Sequence, residues 1–371
     1  MFQIFFYGVS VALLVLAVIE IYLRIRYRNL LWIQVYPQVY VPDDELGYRY
    51  LPNAEGEIRI PGIHRRFRTN NKGFHARDFV RAKAPGTYRI AIVGPSNTTG
   101  IWCHGKGKNY TELLEDQCRA AGHQVEVMNF GIDGRFRSMA ELRLIEREVA
   151  DYEPDQILLD VELPFVHGSF RRDMYKGYVL IYNSETEQSR QWCEAMVDSA
   201  NKQKILIPLY YASFIVRAAV RYYMNRSNSF RAVRLRTFVE NRIQSPNLSL
   251  LPYSLKTSVE ALQAVRDKLA ERGAELTIFQ CSANPYFREV TSKYGLSYLE
   301  LDIPPVTKYV HDRDGHYNYE GHVEVAKQLF EQLTKRPAFQ AKGEGTVAAP
   351  DESGAQDEDK VASAAYVRSA S

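Results

Sequence analysis

The sequence predicts an α/β protein with a central parallel sheet that is covered by helices on both faces. From residue 88 onwards, short apolar runs alternate with amphipathic stretches of helical periodicity. Such an alternation is typical of parallel sheets whose two faces are both buried. The chain has 371 residues, of which 46% are hydrophobic and 25% charged. Those values are ordinary for a globular protein that is large enough to bury a core.

The predicted elements follow one another in a regular order. Strands are predicted at 89–93, 125–128, 156–161, 276–280 and 298–301, and helices at 110–121, 138–150, 257–273 and 321–333. Two of these helices open with capping boxes, Ser138 to Glu141 and Thr257 to Glu260, in which the first side chain and the fourth satisfy backbone N–H groups reciprocally. The repeated order of strand and helix favours one sheet with crossover helices.

Residues 1–28 are predicted to form an N-terminal membrane anchor. Residues 1–19 carry no charged side chain, and the apolar run continues to Leu23. At ~1.5 Å per residue such a helix crosses a hydrocarbon layer of ~30 Å. No basic segment or cleavage site typical of a signal peptide is present, so an uncleaved single-pass anchor is favoured over a buried core helix. Arg24, Arg26 and Arg28 follow the span, and the positive-inside rule alone would place the rest of the chain in the cytoplasm.

Three further regions are predicted from composition. Residues 29–87 are rich in Pro, Gly, Arg and Tyr and are predicted to be a stalk and a loop-rich cover, whereas 88–336 form the main domain. A helical basic insertion is predicted at 203–245, with an apolar run at 205–216 followed by many arginines. It is interpreted either as a solvated basic face or as a lid that docks an anionic polymer or lipid headgroups. Residues 337–371, with many small and acidic residues, are predicted to be a disordered tail.

Composition also excludes several classes of function. The net charge of +3 is too small to indicate a nucleic-acid partner. The four cysteines have no CxxC spacing, which leaves zinc and thioredoxin-type sites without support. No GxGxxG motif follows Val93, so dinucleotide binding is excluded. We therefore expect no metal and no cofactor.

Three polar turns that contain glycine lie where strands end or where the last helix begins. In an open α/β sheet the functional site forms at the carboxyl ends of the strands. The turn at 94–100 exposes Ser96 as a candidate nucleophile, and the turn at 129–134 supplies a glycine N–H for an oxyanion. In the turn at 314–322, His316 is the candidate base and Asp314 the residue that orients it.

Alternatives to these roles remain open from spacing alone. Asp312 and His311 compete for the roles of Asp314 and His316. Metal ligation by Asp314, His316 and His322 is a rival interpretation. Otherwise His322 is expected to be structural or to lie on the helix surface.

Together the three turns resemble the SGNH family, the branch of GDSL-type hydrolases and acyltransferases. The stretch RIAIVGPSNTTG (89–100) is similar to the first block of the family, NFGIDG (129–134) to the second and DGHYNYEGH (314–322) to the last. The resemblance implies a flavodoxin-like three-layer sandwich. It also implies that Ser96, Asp314 and His316 are catalytic, and that the N–H groups of Ser96 and Gly134 form the oxyanion hole.

The N-terminal span, the phrases LGYRYLPN and FRTNNKGF, and the helical insertion resemble the membrane-anchored branch of the family found in bacterial cell-surface polysaccharide loci. This resemblance implies an esterase or O-acyltransferase that acts on acyl, chiefly acetyl, esters of a surface carbohydrate. It further implies a domain outside the cytoplasm, in conflict with the arginine bias, and polysaccharide-assembly proteins as partners.

One block departs from the family pattern. The third block of the family supplies an Asn that donates to the oxyanion, whereas this chain reads DVELPF at 160–165. Losing one oxyanion donor costs about 3 kcal/mol of transition-state stabilisation. Asn97, beside the nucleophile, is a candidate replacement. A catalytically degenerate domain that binds polysaccharide or serves as a scaffold therefore remains the alternative hypothesis.

Overall fold

The computed structural model describes residues 2–27, 39–60, 63–100, 103, 108–133, 138–161, 170–183, 186–203, 205–240, 242–246, 255–281, 285–310 and 316–343. The helices are α1 (Phe2–Arg26), α2 (Ser96–Thr99), α3 (Tyr110–Ala120), α4 (Ser138–Arg147), α5 (Glu187–Asn201), α6 (Leu206–Ala212), α7 (Phe214–Arg226), α8 (Phe230–Glu240), α9 (Leu255–Glu271), α10 (Pro285–Lys293), α11 (Tyr319–Leu333) and α12 (Pro337–Gly343). The strands are β1 (Tyr40–Asp43), β2 (Gly47–Tyr50), β3 (Glu55–Ile60), β4 (Ile63–Arg68), β5 (Tyr88–Gly94), β6 (Val125–Gly131), β7 (Gln156–Asp160), β8 (Phe170–Tyr175), β9 (Tyr178–Asn183), β10 (Arg242–Gln244), β11 (Glu275–Gln280) and β12 (Ser297–Glu300).

The central sheet has five strands in the order β12-β11-β7-β5-β6. Every neighbouring pair is parallel. Counted along the chain within this sheet, the spatial order is 2-1-3-4-5, which is the flavodoxin-like order, with its topological switch point between β5 and β7. The predicted fold class is therefore confirmed.

Two hydrophobic cores lie on opposite faces of the sheet, and β5 contributes to both. Every residue of β5 is buried. Its Ala91 and Val93 belong to the core that also contains residues of α4 and α9. Its Ile90 and Ile92 pack with residues of α3 and α11. Helices on both faces explain why this strand is a continuous apolar run rather than an alternating one.

The segment predicted to be loop-rich contains two antiparallel hairpins, β1–β2 and β3–β4. Strands β1 and β2 have only four residues each, which is too short for an alternation such as that of GYRY in β2 to stand out in the sequence. Tyr48 and Tyr50 of β2 are nonetheless buried against the central domain. Because tertiary contacts and not local pattern stabilise these strands, sequence periodicity did not predict them.

A second structural unit follows β7. Strands β8, β9 and β10 form a three-stranded sheet, and α5 packs on its middle strand through Cys193, Met196 and Val197. The interval 203–245 contains α6, α7, α8 and β10. All four cysteines of the chain lie in the described part and none forms a disulfide.

The region predicted to be a tail begins with α12. Phe339 of this helix is fully buried and packs edge-on against Tyr88 of β5, with ring centroids 5.2 Å apart. Residues 337–343 are therefore part of the folded domain, which corrects the predicted boundary. The rest of the predicted tail lies outside the described residues.

Candidate active site

Ser96 lies immediately beyond the carboxyl end of β5, where it begins the short helix α2. Its side chain is close to buried, since the residue is 7% exposed. Gly94 allows this turn to pack closely, because a Cβ atom on it would lie 2.2 Å from Thr98 Oγ1 and 2.6 Å from Asp160 Cβ. The nucleophile candidate is thus at the switch point of the sheet, where sites of open α/β folds form.

His316 approaches Ser96 from the turn before α11. Its Nε2 atom lies 2.8 Å from Ser96 Oγ, although the two residues are 220 positions apart in sequence. His316 is partly buried. A serine hydroxyl and an imidazole nitrogen at hydrogen-bond distance are the geometric signature of an activated nucleophile.

Asn97 links the turn of Ser96 to the turn of His316 by a hydrogen bond. Its Oδ1 atom accepts a hydrogen bond of 3.1 Å from the backbone N–H of Tyr317, the residue after His316. The amide of Asn97 is therefore oriented with its oxygen towards the histidine turn, and its Nδ2–H groups are the donors it has for other contacts. The sequence had indicated Asn97 as a possible oxyanion donor but not this second role.

A buried chain of hydroxyl groups holds α2 from the opposite side. The hydroxyl of Tyr110 donates to Thr98 Oγ1 at 2.8 Å, and Thr98 Oγ1 donates to Asp160 Oδ2 at 2.8 Å. Burial and then the negative charge of Asp160 raise the pKa of Tyr110 well above its usual value, so its hydroxyl remains a donor. The last residue of β7 is thereby connected to the helix that begins with Ser96.

The second turn packs directly on α2. Asn129 Nδ2 donates to the carbonyl of Thr98 at 2.8 Å, while its Oδ1 accepts from the N–H of Gly131 at 2.8 Å. A Cβ atom on Gly131 would lie 2.4 Å from the backbone nitrogen of Thr99. Only glycine fits at this contact between two backbones, and this explains why the turn contains one.

Tyrosines of the N-terminal hairpin hold the same turn at Asp133. Tyr40 donates to Asp133 Oδ2 at 2.8 Å and Tyr50 to Oδ1 at 2.7 Å, and Tyr48 donates to the Asp133 carbonyl at 2.7 Å. Burial and then the charge of Asp133 raise the pKa of Tyr50 well above its usual value. Its hydroxyl therefore stays protonated and donates. Gly134, the predicted oxyanion glycine, is the next residue in the sequence.

His322 is a core residue. It is fully buried, its Nδ1 accepts from the backbone N–H of Tyr110 at 3.2 Å, and its ring stacks on that of Tyr110. These contacts agree with the structural role expected for it and count against the metal-ligand alternative. Within the described ranges, no group of three or more His, Cys, Asp or Glu side chains could hold a metal ion.

Several predicted site residues lie outside the described residues. They are Asp314, its competitors His311 and Asp312, Gly134, and the part of the third block that follows Val161. Their predicted roles therefore stay predictions. Of the predicted site, the structure brings together Ser96, His316 and Asn97.

Fold and site together define a flavodoxin-like α/β protein with a serine–histidine pair at the switch point of its sheet. No model of a known protein family matches the sequence, and no curated protein matches it. Solved structures do show similarity, among them two lipolytic proteins and an acetylxylan esterase.

A lipolytic protein of the G-D-S-L family from Desulfitobacterium hafniense is 9% identical, with a TM-score of 0.34, covering 66% of this chain and 99% of its own. A lipase/acylhydrolase from Enterococcus faecalis is 11% identical, with a TM-score of 0.32, covering 66% of this chain and 94% of its own. A catalytic mutant of an acetylxylan esterase from Geobacillus stearothermophilus is 9% identical, with a TM-score of 0.34, covering 73% of this chain and 100% of its own. At these values the likeness adds nothing to the fold that the strand order already gives.

Proposed function

We propose that this chain is a membrane-anchored serine esterase or O-acyltransferase of the SGNH type. The observation that carries the proposal is the 2.8 Å contact between Ser96 Oγ and His316 Nε2 at the carboxyl edge of the sheet. An imidazole at that distance can take the serine proton as the oxygen attacks a carbonyl. Asp314, two residues before His316, is the group assigned to orient the imidazole and stabilise its charged form.

The proposed reaction proceeds in two halves. Ser96 Oγ attacks the ester carbonyl carbon while its proton passes to His316 Nε2. The tetrahedral intermediate then collapses, the ester C–O bond breaks, and His316 returns the proton to the leaving alcohol. Water, or a sugar hydroxyl in the case of transfer, next attacks the acyl-serine with His316 again as base, which releases the acyl group and restores the serine.

The oxyanion of the intermediate is assigned to backbone donors. Ser96 begins α2, and the first N–H groups of a helix have no partner within that helix. Its N–H, together with that of Gly134, would bind the oxyanion. The third-block Asn is absent from the sequence, and we assign its role to Asn97 Nδ2, the donor group of a side chain whose Oδ1 accepts from the Tyr317 N–H.

The proposed substrate is a small acyl ester, chiefly acetyl, on a cell-surface carbohydrate. Ser96 is only 7% exposed, so a short acyl chain reaches its hydroxyl more readily than a bulky one. The carbohydrate is suggested by the resemblance to anchored polysaccharide-modifying proteins. Polysaccharide-assembly proteins are the proposed partners, on the same grounds.

The proposed location is the cell membrane, with α1 as a single-pass anchor. Among the described residues there is one helix that is long and apolar enough to cross a membrane, Gln3–Arg26, with a mean hydropathy of 2.5 and none of its most apolar window buried. A core helix would be buried, so its exposure supports an anchor or a signal sequence. We propose that the domain lies outside the cytoplasm, against the bias of Arg24 and Arg26, and protease digestion of intact cells tests that side.

The alternative proposal is a catalytically degenerate domain that binds polysaccharide or acts as a scaffold. The missing third-block Asn favours it. The short Ser96–His316 contact favours the enzyme, since a binding domain has no need for that geometry.

Hydrolysis of p-nitrophenyl acetate by the purified full-length protein tests the proposal. Ser96→Ala is expected to reduce turnover to the level of the buffer. Ser245→Ala is the matched control, because Ser245 is also nearly buried, and its hydroxyl accepts from Ser189 Oγ of α5 at 2.7 Å next to the three-stranded sheet instead of the central one. Equal activity of the wild type and Ser96→Ala would end the enzymatic assignment and leave the binding alternative.

A further inference from the structure

An apolar surface segment at residues 205–216 takes no part in the proposed chemistry. No charged side chain occurs between Lys204 and Arg217, and this stretch forms α6 and the start of α7. Ile205 is 78% exposed, Leu209 48% and Tyr211 46%. A group of large apolar side chains that remains exposed on a folded domain marks a surface that contacts something other than water.

Helix α1 is hydrogen-bonded to this segment where α6 ends and α7 begins, which we call the α6–α7 corner. Glu20 accepts hydrogen bonds from Ser213 Oγ at 2.9 Å and from the backbone N–H groups of Phe214 at 2.9 Å and Ile215 at 3.0 Å. Glu20 thus caps the N-terminus of α7. A carboxylate is the charge that this end of a helix favours.

Two arginine side chains cap the C-terminal end of α6. Arg24, one turn beyond Glu20, donates to the carbonyl of Ala212 at 2.6 Å, and Arg217 donates to that of Tyr210 at 2.8 Å. Arg24 also bonds to Glu20 at 2.8 Å. Since α1 contributes an acid to one helix end and a base to the other, it binds the corner in a defined orientation.

These contacts fix the position of the α6–α7 corner along the axis of α1, relative to its apolar span. Gln3 and Glu20 are about 26 Å apart along a helix that rises ~1.5 Å per residue, close to the ~30 Å of a hydrocarbon layer. The most apolar window of α1 is not buried at all, whereas Glu20 and Leu23 near its C-terminal end are partly buried. A bilayer that surrounds α1 therefore ends near Glu20, at the level of the α6–α7 corner.

We propose that residues 205–216 are a membrane-docking element that lies in the headgroup layer of the bilayer crossed by α1. Its exposed side chains, Leu209 and Tyr211 among them, are of the kinds that enter this layer, and tyrosine is enriched there. The side chain of Arg24 is 50% exposed at the same level, and its charge suits anionic lipids. The domain is then held to the membrane at two points and cannot pivot freely about its anchor. This inference rests on the anchoring part of the proposed function and not on the esterase chemistry.

Fluorescence quenching in proteoliposomes tests the inference with the full-length protein. A polarity-sensitive maleimide fluorophore is attached to Leu209→Cys, in vesicles of phosphatidylcholine and phosphatidylglycerol. The native cysteines are all buried and so react poorly. We expect nitroxide-labelled lipids to quench this reporter and aqueous iodide to quench it at least about fivefold less than a water-exposed one.

Two control reporters separate the possible failures. Val306→Cys is the matched water-exposed control, since Val306 is 47% exposed and Leu209 48%. Leu14→Cys lies within the apolar window of α1. Iodide quenching at Leu209 equal to that at Val306, with Leu14 quenched by lipid, would overturn the docking element while the anchor stands. If nitroxide-labelled lipids did not quench the fluorophore on Leu14→Cys, the anchor and the docking element would both be overturned. None of these outcomes bears on ester hydrolysis.

Discussion

Ser96 Oγ lies 2.8 Å from His316 Nε2, and this contact joins two turns that are 220 residues apart. Ser96 follows β5 at the switch point of the sheet, whereas His316 precedes α11. A second bond, from the Tyr317 N–H to Asn97 Oδ1, holds the same two turns at 3.1 Å. The proposed nucleophile and base are therefore held next to each other by two hydrogen bonds, one between their side chains and one from the Tyr317 backbone to Asn97.

Replacing the proposed base tests the role of the imidazole. His316→Ala is expected to lower kcat by about 10⁴-fold, because the serine hydroxyl loses its proton acceptor. KM for the ester should change little. His322→Ala is a poor comparison since His322 is a core residue, and His123→Ala, outside the site, is the better control in the kinetic assay. A kcat for His316→Ala within tenfold of the wild type would remove His316 from the mechanism.

Substitutions at Asn97 separate its two assigned roles. Asn97→Asp keeps an oxygen that accepts from Tyr317 but loses the Nδ2 donor, whereas Asn97→Ala loses both. We expect both variants to lower kcat by about 10²-fold, because an oxyanion donor is worth about 3 kcal/mol. Near-normal kcat for Asn97→Asp, with loss in Asn97→Ala, would instead show that Asn97 only positions the histidine turn.

Gly131→Ala tests the close packing of the second turn against α2. Its new Cβ would lie 2.4 Å from the Thr99 backbone nitrogen, and backbone atoms cannot rotate out of the way. We expect α2 and Ser96 to shift, with kcat reduced by about 10²-fold. Gly8→Ala is the control, since a Cβ there meets nothing within 4 Å. Unchanged kcat for Gly131→Ala would contradict the described packing.

The tyrosine contacts to Asp133 predict a distant effect on turnover. Tyr50→Phe removes a 2.7 Å bond to Asp133 Oδ1 and loosens the turn that leads to Gly134, so we expect kcat to fall about tenfold with little change in KM. Tyr178→Phe removes a comparable 2.9 Å bond to Asn201 elsewhere. Tyr50→Phe costs about 1.5–3 kcal/mol of stability, since the lost bond is to a carboxylate, and Tyr178→Phe about 1 kcal/mol. Equal kcat values in the two folded variants would mean that Tyr50 has only a structural role.

The ion pair of Asp43 with Arg147 predicts a loss of stability in acid. Burial alone would raise the pKa of Asp43, but the hydrogen bond and charge of Arg147, with the N–H groups of Leu46 and Glu45, outweigh it and lower the pKa from 3.8 to about 2. A carboxyl with a lowered pKa stabilises the fold fully above the pKa of the unfolded chain, and this contribution is lost as pH falls from about 4 to 2.

Arg147→Met should therefore reduce the free energy of unfolding by about 1–2 kcal/mol at pH 7, with a smaller difference at pH 2. Urea unfolding at the two pH values measures it. A destabilisation that is the same at both values would mean that the pair contributes no charge-dependent stability.

The sequence predicted the sheet from local rules, whereas it indicated Ser96 and His316 through their turns together with the resemblance to the SGNH family, since spacing alone also left His311 open. Buried strands such as β5 are recognisable as apolar runs, and a site in an open α/β sheet lies at the carboxyl ends of its strands. The sequence did not predict the hairpin that contains Tyr48 and Tyr50. This hairpin is stabilised by burial against a distant turn, and Tyr50 and its partner Asp133 are 83 positions apart in the chain.

The contacts that support the nucleophile were also missed. Thr98 and Asp160 are 62 residues apart, and nothing in the local pattern around either residue indicates the other. Asp160 is the single acid at the end of the apolar strand β7. Because a charged side chain in such a position is buried only with a partner, this was the one feature of the sequence that indicated a buried contact of Asp160. For His322 the sequence left a structural role and a position on the helix surface open, and its complete burial decides for the first.

Labelling with a fluorophosphonate probe, followed by peptide mass mapping, tests the central claim most directly. A serine made nucleophilic by a neighbouring imidazole forms a covalent phosphonyl adduct, whereas an ordinary buried serine does not. We predict a single adduct on Ser96 of the full-length protein, lost in Ser96→Ala and His316→Ala and retained in Ser245→Ala. A correctly folded protein that is not labelled at Ser96, or labelling that persists without His316, would contradict the account.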